Sequence, residues 1–270
     1  MTELVVTSAG WATTIQDAGR PGFGALGVSP SGALDQPARH LLNRLLGNPP
    51  DAAVVESLGG VRLRVTGPAV VATSAERAPV SVEPGDEIVL DPPPGALWAY
   101  LAVRGGIAVD PVLGSRSTDS RSGLGPPHLV VGTHLPIGPD PGTPIVADLA
   151  PPAAPSATVV AVHPGPRADW FVPATLEDLT GGRWTVSTEV SRVGMRLDGP
   201  VLRRQVPAEL PSEGLLPGAI QVPPDGRPVV MLADHPTTGG YPVLAVVDPT
   251  GLATIAQSRP GSTVRFRLHR

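Results

Sequence analysis

The 270-residue sequence contains neither cysteine nor lysine. Without cysteine there is no disulfide framework, no thiol nucleophile and no Cys-based metal site. Without lysine there is no Walker-type phosphate lysine, no Schiff-base lysine and no residue to carry biotin. Nucleotide or biotin chemistry would have to lean on a second protein or on arginine. All 20 basic residues are arginine, they stand against 24 acidic ones, and the net charge is -4 with no basic run. That balance argues against a nucleic-acid partner. Aromatic residues make up only 3%, so aliphatic side chains must fill the core. No apolar run approaches the roughly 20 residues that span a bilayer. The opening MTELVVTSAG lacks the charged and apolar regions of a signal peptide. The expectation is a cytoplasmic protein with no membrane segment.

What the sequence has in abundance is proline, at 35 residues, and glycine, at 32. They punctuate short runs rich in Val and Ile, the pattern of strands separated by turns. Such runs lie at 4–7, 53–57, 61–66, 69–74, 87–90, 98–103, 158–163, 184–188, 229–233, 244–247 and 263–268. Glu83-Pro84-Gly85-Asp86 reads as a turn. The fold class is therefore mainly β with few short helices. One amphipathic helix is expected near residues 32–47, because Leu34, Ala38, Leu41, Leu42, Leu45 and Leu46 form a single apolar stripe. Ser31 suits its N-cap, Asp35 its first turn, and Gly47-Asn48-Pro49 its end. His40 and Asn43 are expected on its solvent face. A second short helix is expected near 173–179. The stretch 150–157, APPAAPSA, reads as a linker between β domains at 1–150 and 158–270.

Gly22-Phe23-Gly24-Ala25-Leu26-Gly27 has the spacing of a dinucleotide loop, but the helix starts several residues later and the surroundings read as antiparallel. A turn-shaping loop is the better reading. The histidines, His40, His128, His134, His163, His235 and His269, show no ligand spacing along the chain, so no metal site is expected. His235 stands out for its neighbours Asp234 and Thr237. The densest polar cluster runs from Ser212 to Pro242 and holds Glu213, Gln221, Asp225, Asp234, Thr237, Thr238 and Tyr241. Two glycines behind two threonines expose backbone N–H groups beside hydroxyls, an arrangement that cradles an anion. Glu213 and Asp234 suit proton transfer if burial brings them toward neutrality. Asp225 reads as a hairpin-turn residue. Nearer the start, Arg20 either grips a carboxylate or holds its loop by pairing with Asp17. Gly114-Ser115-Arg116-Ser117-Thr118 is a second hydroxyl-rich loop.

Several motifs run in order over nearly the whole chain. They are Gln16-Asp17-x-Gly19-Arg20-x-Gly22, Gly27-Val28-x-x-Ser31-Gly32-Ala33-x-Asp35, Glu56-x-x-Gly59-Gly60, Gly114–Thr118 and Ser191-Arg192-x-Gly194-x-Arg196-Leu197. Ser212-Glu213-Gly214-x-x-Pro217-Gly218-Ala219-Ile220-Gln221 and Thr237-Thr238-Gly239-Gly240-Tyr241-Pro242 complete the set. In these the chain resembles the family whose members are called the C component of 5-oxoprolinase, allophanate hydrolase subunit 2 or biotin-dependent carboxyltransferase. Two departures are a missing acidic residue near Gly132-Thr133-His134 and a His at position 235.

The resemblance implies two cyclophilin-like β-barrel domains and a partner of the B-type (subunit 1) family, with a further, A-type component when the activity is 5-oxoprolinase. That activity opens a small lactam, 5-oxo-L-proline, to L-glutamate with ATP used at the level of the complex. Glu213 and Asp234 are then expected to move protons. Arg20 or Arg196 would hold the carboxylate, and Ser31, Asp35, Gln221, Thr237, Thr238 and Tyr241 would orient the substrate. Two other readings stand beside this one. One is carboxyl transfer to urea or a similar amide from carboxybiotin on a separate protein; the other is a non-catalytic regulator that sequesters a kinase-inhibitor-like partner.

Overall fold

A computed structural model of the chain describes residues 2–147, 149–151 and 158–269. The expected linker thus lies mostly outside the described residues. The chain divides into two compact units: residues 1–20 with 31–154, and residues 21–30 with 155–270. The glycine loop at 21–30 therefore belongs with the second unit, although it lies near the start of the sequence.

The first unit holds β1 (Glu3–Ser8), β2 (Ala12–Gln16), α1 (Gln36–Leu45), β3 (Val54–Leu58), β4 (Val61–Val65), β5 (Ala69–Thr73), β6 (Val80–Val82), β7 (Glu87–Leu90), β8 (Trp98–Val103) and β9 (His134–Pro136). They form two antiparallel sheets, in the orders β7-β4-β1-β9 and β2-β3-β8-β5-β6. Alternate residues of β4 are buried and exposed, so Val61, Leu63 and Val65 point inward and Arg62 and Arg64 outward. The strand β8 is buried along its whole length. Its Ala99, Leu101 and Val103 join the core with Leu4, Val6, Val55 and Leu63, whereas α1 packs against the same strand. A strand covered on both faces has no need of polar alternation.

The helix begins at Gln36, and Asp35, not Ser31, is its N-cap: the Asp35 carboxylate accepts from the Ala38 N–H at 2.9 Å. Ser31 has a positive φ of 51° and lies outside the helix. Asn43 is wholly buried, contrary to the solvent face expected of it, and donates to the Ala52 carbonyl at 2.8 Å. An apolar stripe marks one buried face, but a short polar side chain is buried equally well where a loop supplies its partners. His40 is exposed.

The second unit holds β10 (Thr158–Pro164), α2 (Thr175–Gly181), β11 (Trp184–Val190), β12 (Gly194–Asp198), β13 (Glu213–Gly214), β14 (Ala219–Gln221), β15 (Val229–Met231), β16 (Thr238–Gly239), β17 (Val243–Val247), α3 (Leu252–Ala256) and β18 (Thr263–Leu268). Seven strands close into a barrel in the order β10-β17-β14-β15-β12-β11-β18. The seam between β10 and β18 is parallel, and the other barrel pairs are antiparallel. Closure leaves no unpaired edge. The short helix α2 falls where the sequence suggests one. No helix among the described residues is long and apolar enough to cross a membrane.

Candidate functional site

The two motifs that open and close the Ser212–Pro242 stretch meet as a ribbon. β13 pairs with β16 so that Glu213 faces Gly239 and Gly214 faces Thr238, and the Leu215 N–H donates to the Thr237 carbonyl at 2.9 Å. Gln221, at the end of β14, is buried and donates from Nε2 to the Tyr241 carbonyl at 2.9 Å. Gly239 packs closely here: a Cβ would stand 2.7 Å from Gln221 Nε2 and 2.7 Å from Leu215 Cδ1, and would displace both side-chain ends. The ribbon thus holds the loop backbone while Thr238 and Tyr241 stay exposed. Thr237 is half-buried.

Tyr241 and Gly240 line an open cavity of about 1010 Å³ with Leu202, Arg203, Arg204 and Leu210. Arg204 reaches the Ala208 carbonyl at 3.4 Å. Arg203 makes no side-chain hydrogen bond or ion pair among the described residues. A cation and a phenol beside aliphatic walls suit a small molecule that carries a carboxylate. Sequence reasoning missed Arg203; its signal, the Arg203-Arg204 pair just ahead of the Ser-Glu-Gly motif, gains meaning only once the cavity exists.

The two acidic residues expected to move protons are both held by arginine. Arg167 grips Glu213 with two nitrogens, its Nε donating to Oε2 at 2.9 Å and its Nη2 to Oε1. That guanidinium holds the Glu213 carboxyl below its ordinary value. Glu213 is therefore an anion at neutral pH, a hydrogen-bond acceptor rather than a proton donor. Asp234 is wholly buried, and Arg192 donates to both its oxygens, at 2.8 and 2.9 Å. The Asp234 N–H also donates to the Arg192 carbonyl at 2.9 Å. This double link ties the loop before β12 to the one after β15. The next residue, His235, is buried, with Nδ1 2.7 Å from the Pro236 carbonyl. Ser29, from the glycine loop, donates to the Ala233 carbonyl at 2.8 Å, which anchors residues 21–30 beside Asp234.

Arg196, on β12, is ion-paired to Glu189 at 3.0 Å and to Asp225 at 2.7 Å. Asp225 also accepts from the Arg227 N–H at 3.2 Å, as a turn residue does, and Gly226 beside it has φ 73°. The loop Gly22–Gly27 contains one 3-10 turn, Gly24–Leu26, with Gly27 left-handed, and the chain passes to the first unit at residue 31 without the loop opening an α-helix. It has none of the strand–helix surroundings of a dinucleotide site.

Arg20, Ser31 and Asp35 lie in the first unit, where they knit loops together. The Arg20 side chain is buried and donates to the Ser117 and Val112 carbonyls. Ser31 Oγ donates to the Thr118 carbonyl at 3.1 Å. The Asp17 carboxylate accepts from Ser115 Oγ and Ser117 Oγ, each at 2.6 Å, and from the N–H groups of Arg116 and Gly19. The Gln16–Arg20 and Gly114–Thr118 motifs are thus two halves of one buried polar knot. Beside it, Glu56 accepts from the Leu34 N–H at 2.8 Å and from the Tyr100 hydroxyl at 2.9 Å. Burial, with the nearby charges of Glu56 and Asp35, pushes the Tyr100 hydroxyl well above its ordinary value.

Comparison with known proteins is consistent across sequence and structure. Residues 26–268 match the model of the carboxyltransferase domain, subdomain A and B. The chain is 35% identical to the C component of 5-oxoprolinase from Escherichia coli (strain K12), over 97% of this chain and 90% of that protein. It is 32% identical to the C component of 5-oxoprolinase from Haemophilus influenzae, over 94% of this chain and 87% of that one. Among solved structures it is similar to the urea amidolyase of Kluyveromyces lactis, with a TM-score of 0.90 and 28% identity. That match covers 99% of this chain and 19% of the amidolyase, so the chain spans about a fifth of the larger protein.

Proposed function

We propose that the chain, which belongs to the carboxyltransferase domain family, works as the C component of an ATP-dependent 5-oxoprolinase that opens 5-oxo-L-proline to L-glutamate. The observation that carries this reading is the match to the C component of 5-oxoprolinase over nearly the full length of both chains. Both units are read as cyclophilin-like domains, with residues 21–30 lent to the second; the closed barrel of the second unit and the family match support this, whereas the expected barrel of the first unit is two sheets that do not close through strand pairing among the described residues. The partners are the B-type and A-type components, and a cytoplasmic location fits this assembly.

5-Oxoproline is a lactam with one carboxylate, and amide resonance makes its carbonyl a poor electrophile. The cavity beside Tyr241 supplies what such a ligand needs. Arg203 takes the carboxylate, the Tyr241 hydroxyl hydrogen-bonds the ring, and Gly240, which also lines the cavity, offers its backbone N–H to the lactam oxygen, where negative charge develops as water adds. Gln221 and the Arg167–Glu213 pair hold that loop in place. Asp234, with Arg192, fixes the chain just ahead of that loop. Arg20, Ser31 and Asp35 are assigned to loop architecture and Arg196 to its ion pairs, so the anion contact moves from Arg20 or Arg196 to Arg203.

ATP would supply the phosphoryl group that activates the lactam. The residues of this chain do not fit a phosphate cradle, since there is no lysine and the glycine loop opens no helix in its unit. ATP is therefore assigned to a partner. Combining the chain with the A-type and B-type components, ATP and 5-oxoproline should release glutamate, and no glutamate from the complete set would overturn the reading. In that complex Arg203→Ala should raise KM for 5-oxoproline roughly tenfold or more, the worth of a hydrogen bond to a charged group. An unchanged KM would remove Arg203 from the site.

The likeness to urea amidolyase favours a second reading, carboxyl transfer to urea or a similar amide from carboxybiotin on a separate protein. It predicts turnover that depends on bicarbonate and a biotinylated partner, and produces no glutamate.

A further inference from the structure

Three side chains far apart in sequence meet on one patch of the barrel. β10 and β18 run parallel with Val162 opposite Leu268, which sets His163 beside His269 across the seam. The antiparallel strand β17 pairs Val162 with Val247, and Asp248 follows. Backbone hydrogen bonds secure both approaches, from the Asp248 N–H to the Ala161 carbonyl at 2.8 Å and from the His269 N–H to the Val162 carbonyl at 2.9 Å. The imidazole rings stack with centroids 4.5 Å apart and planes 26° apart. Both Nε2 atoms face the same carboxylate oxygen, Asp248 Oδ2, at 3.1 Å from His163 and 3.5 Å from His269. The three ligand atoms all lie within 4.8 Å of one another.

We propose that His163, Asp248 and His269 form a binding site for one zinc-class divalent transition-metal ion. Imidazole nitrogen and carboxylate oxygen are a donor set for such ions. Zinc holds these atoms at about 2.0–2.2 Å, so the edges of its tetrahedron are about 3.3–3.5 Å long. The two nitrogen–oxygen distances, 3.1 and 3.5 Å, fall at or within a few tenths of those edges. The carboxylate is also oriented as a ligand should be. Its other oxygen, Oδ1, accepts from the Thr250 hydroxyl at 2.5 Å and the Thr250 N–H at 3.0 Å, leaving Oδ2 toward the rings. Each histidine side chain is 47% exposed, which gives the ion an entry path and leaves its fourth position to water. The bound ion links β10, β17 and β18 where the barrel closes, so it acts as a clip on the seam.

The test is zinc titration calorimetry on the untagged full chain after chelator treatment, with cobalt as a spectroscopic probe. The expected result is one ion per chain, visible d–d absorption from cobalt, and a melting temperature that rises with added zinc. His163→Ala/His269→Ala should abolish all three effects while circular dichroism shows the barrel intact. His269→Gln, at the end of β18, is the second variant and should also lose stoichiometric binding. Thr250→Val keeps every ligand and should weaken binding roughly tenfold or more by freeing the carboxylate. Absence of stoichiometric binding to the wild type, or binding that survives in His269→Gln, would overturn the assignment.

Discussion

Asp234 illustrates how a residue's neighbours decide its role. By type and position it is a candidate for proton transfer, yet its carboxylate is wholly buried with both oxygens on the Arg192 guanidinium. Removing one member of such a pair leaves the other charge buried and uncompensated, which costs about 3–5 kcal/mol. Asp234→Ala should therefore lower the stability of the second unit by about that amount in denaturant unfolding. Arg192→Met with Asp234→Leu should cost much less, because both charges go together. Asp248 gives a prediction in pH. Its carboxyl is held at about 2, down from 3.8, chiefly by the Thr250 hydroxyl, then by the Thr250 N–H and His163. A lowered carboxyl contributes stability that is complete above the unfolded value and is lost as pH falls through the folded one. Wild type should thus melt above Asp248→Ala at neutral pH, and the gap should close as the pH falls from 3.8 to about 2. A gap that persists below that window would mean the carboxylate is not its source.

At the scale of elements, the ribbon of β13 and β16 depends on one glycine. A Cβ at Gly239 meets the far ends of two flexible side chains, Gln221 Nε2 and Leu215 Cδ1, so both can move aside. Gly239→Ala should cost little in melting temperature. The Gln221 amide would nevertheless leave the Tyr241 carbonyl, and with it the support for the loop. In the reconstituted complex KM for substrate should rise several-fold while Tm stays nearly constant; an equal loss in both would assign Gly239 to folding alone. Element reading from sequence worked where apolar residues alternate with polar ones, as in β4 and β18, or run unbroken, as in β8. It passed over β2, whose Thr13, Thr14 and Gln16 are polar and yet buried. Hydropathy shows no inward face in such a strand, because its burial depends on hydrogen bonds such as that between Thr13 and Ser57.

For the whole molecule, the unexpected feature is the loan of residues 21–30 to the second unit. A protein cut between residues 150 and 158 should stay together through size-exclusion chromatography, since the first fragment carries a segment that completes the second. Fragments that elute separately would show the loan to be weak. No signal for it exists in the segment itself, whose glycines and exposed Leu26 read only as a loop. Among its anchors is the Ser29 hydroxyl, on a backbone carbonyl some two hundred positions away.

The sequence by itself determined the mainly β class, the position of the first helix to within a few residues, and the family, because each rests on local periodicity or on motifs that survive in linear order. Tertiary structure alone decided what the polar residues do. Arg20 and Arg196 are one residue type and Glu213 and Asp234 carry the same group, but their partners assign Arg20 to carbonyls, Arg196 to surface ion pairs, and the two carboxylates to arginine clamps. It also brought His163, Asp248 and His269 together from three strands, where spacing along the chain shows no ligand set. Partners of this kind are chosen by strand register and barrel closure, which act across the whole chain and leave no trace in any local pattern.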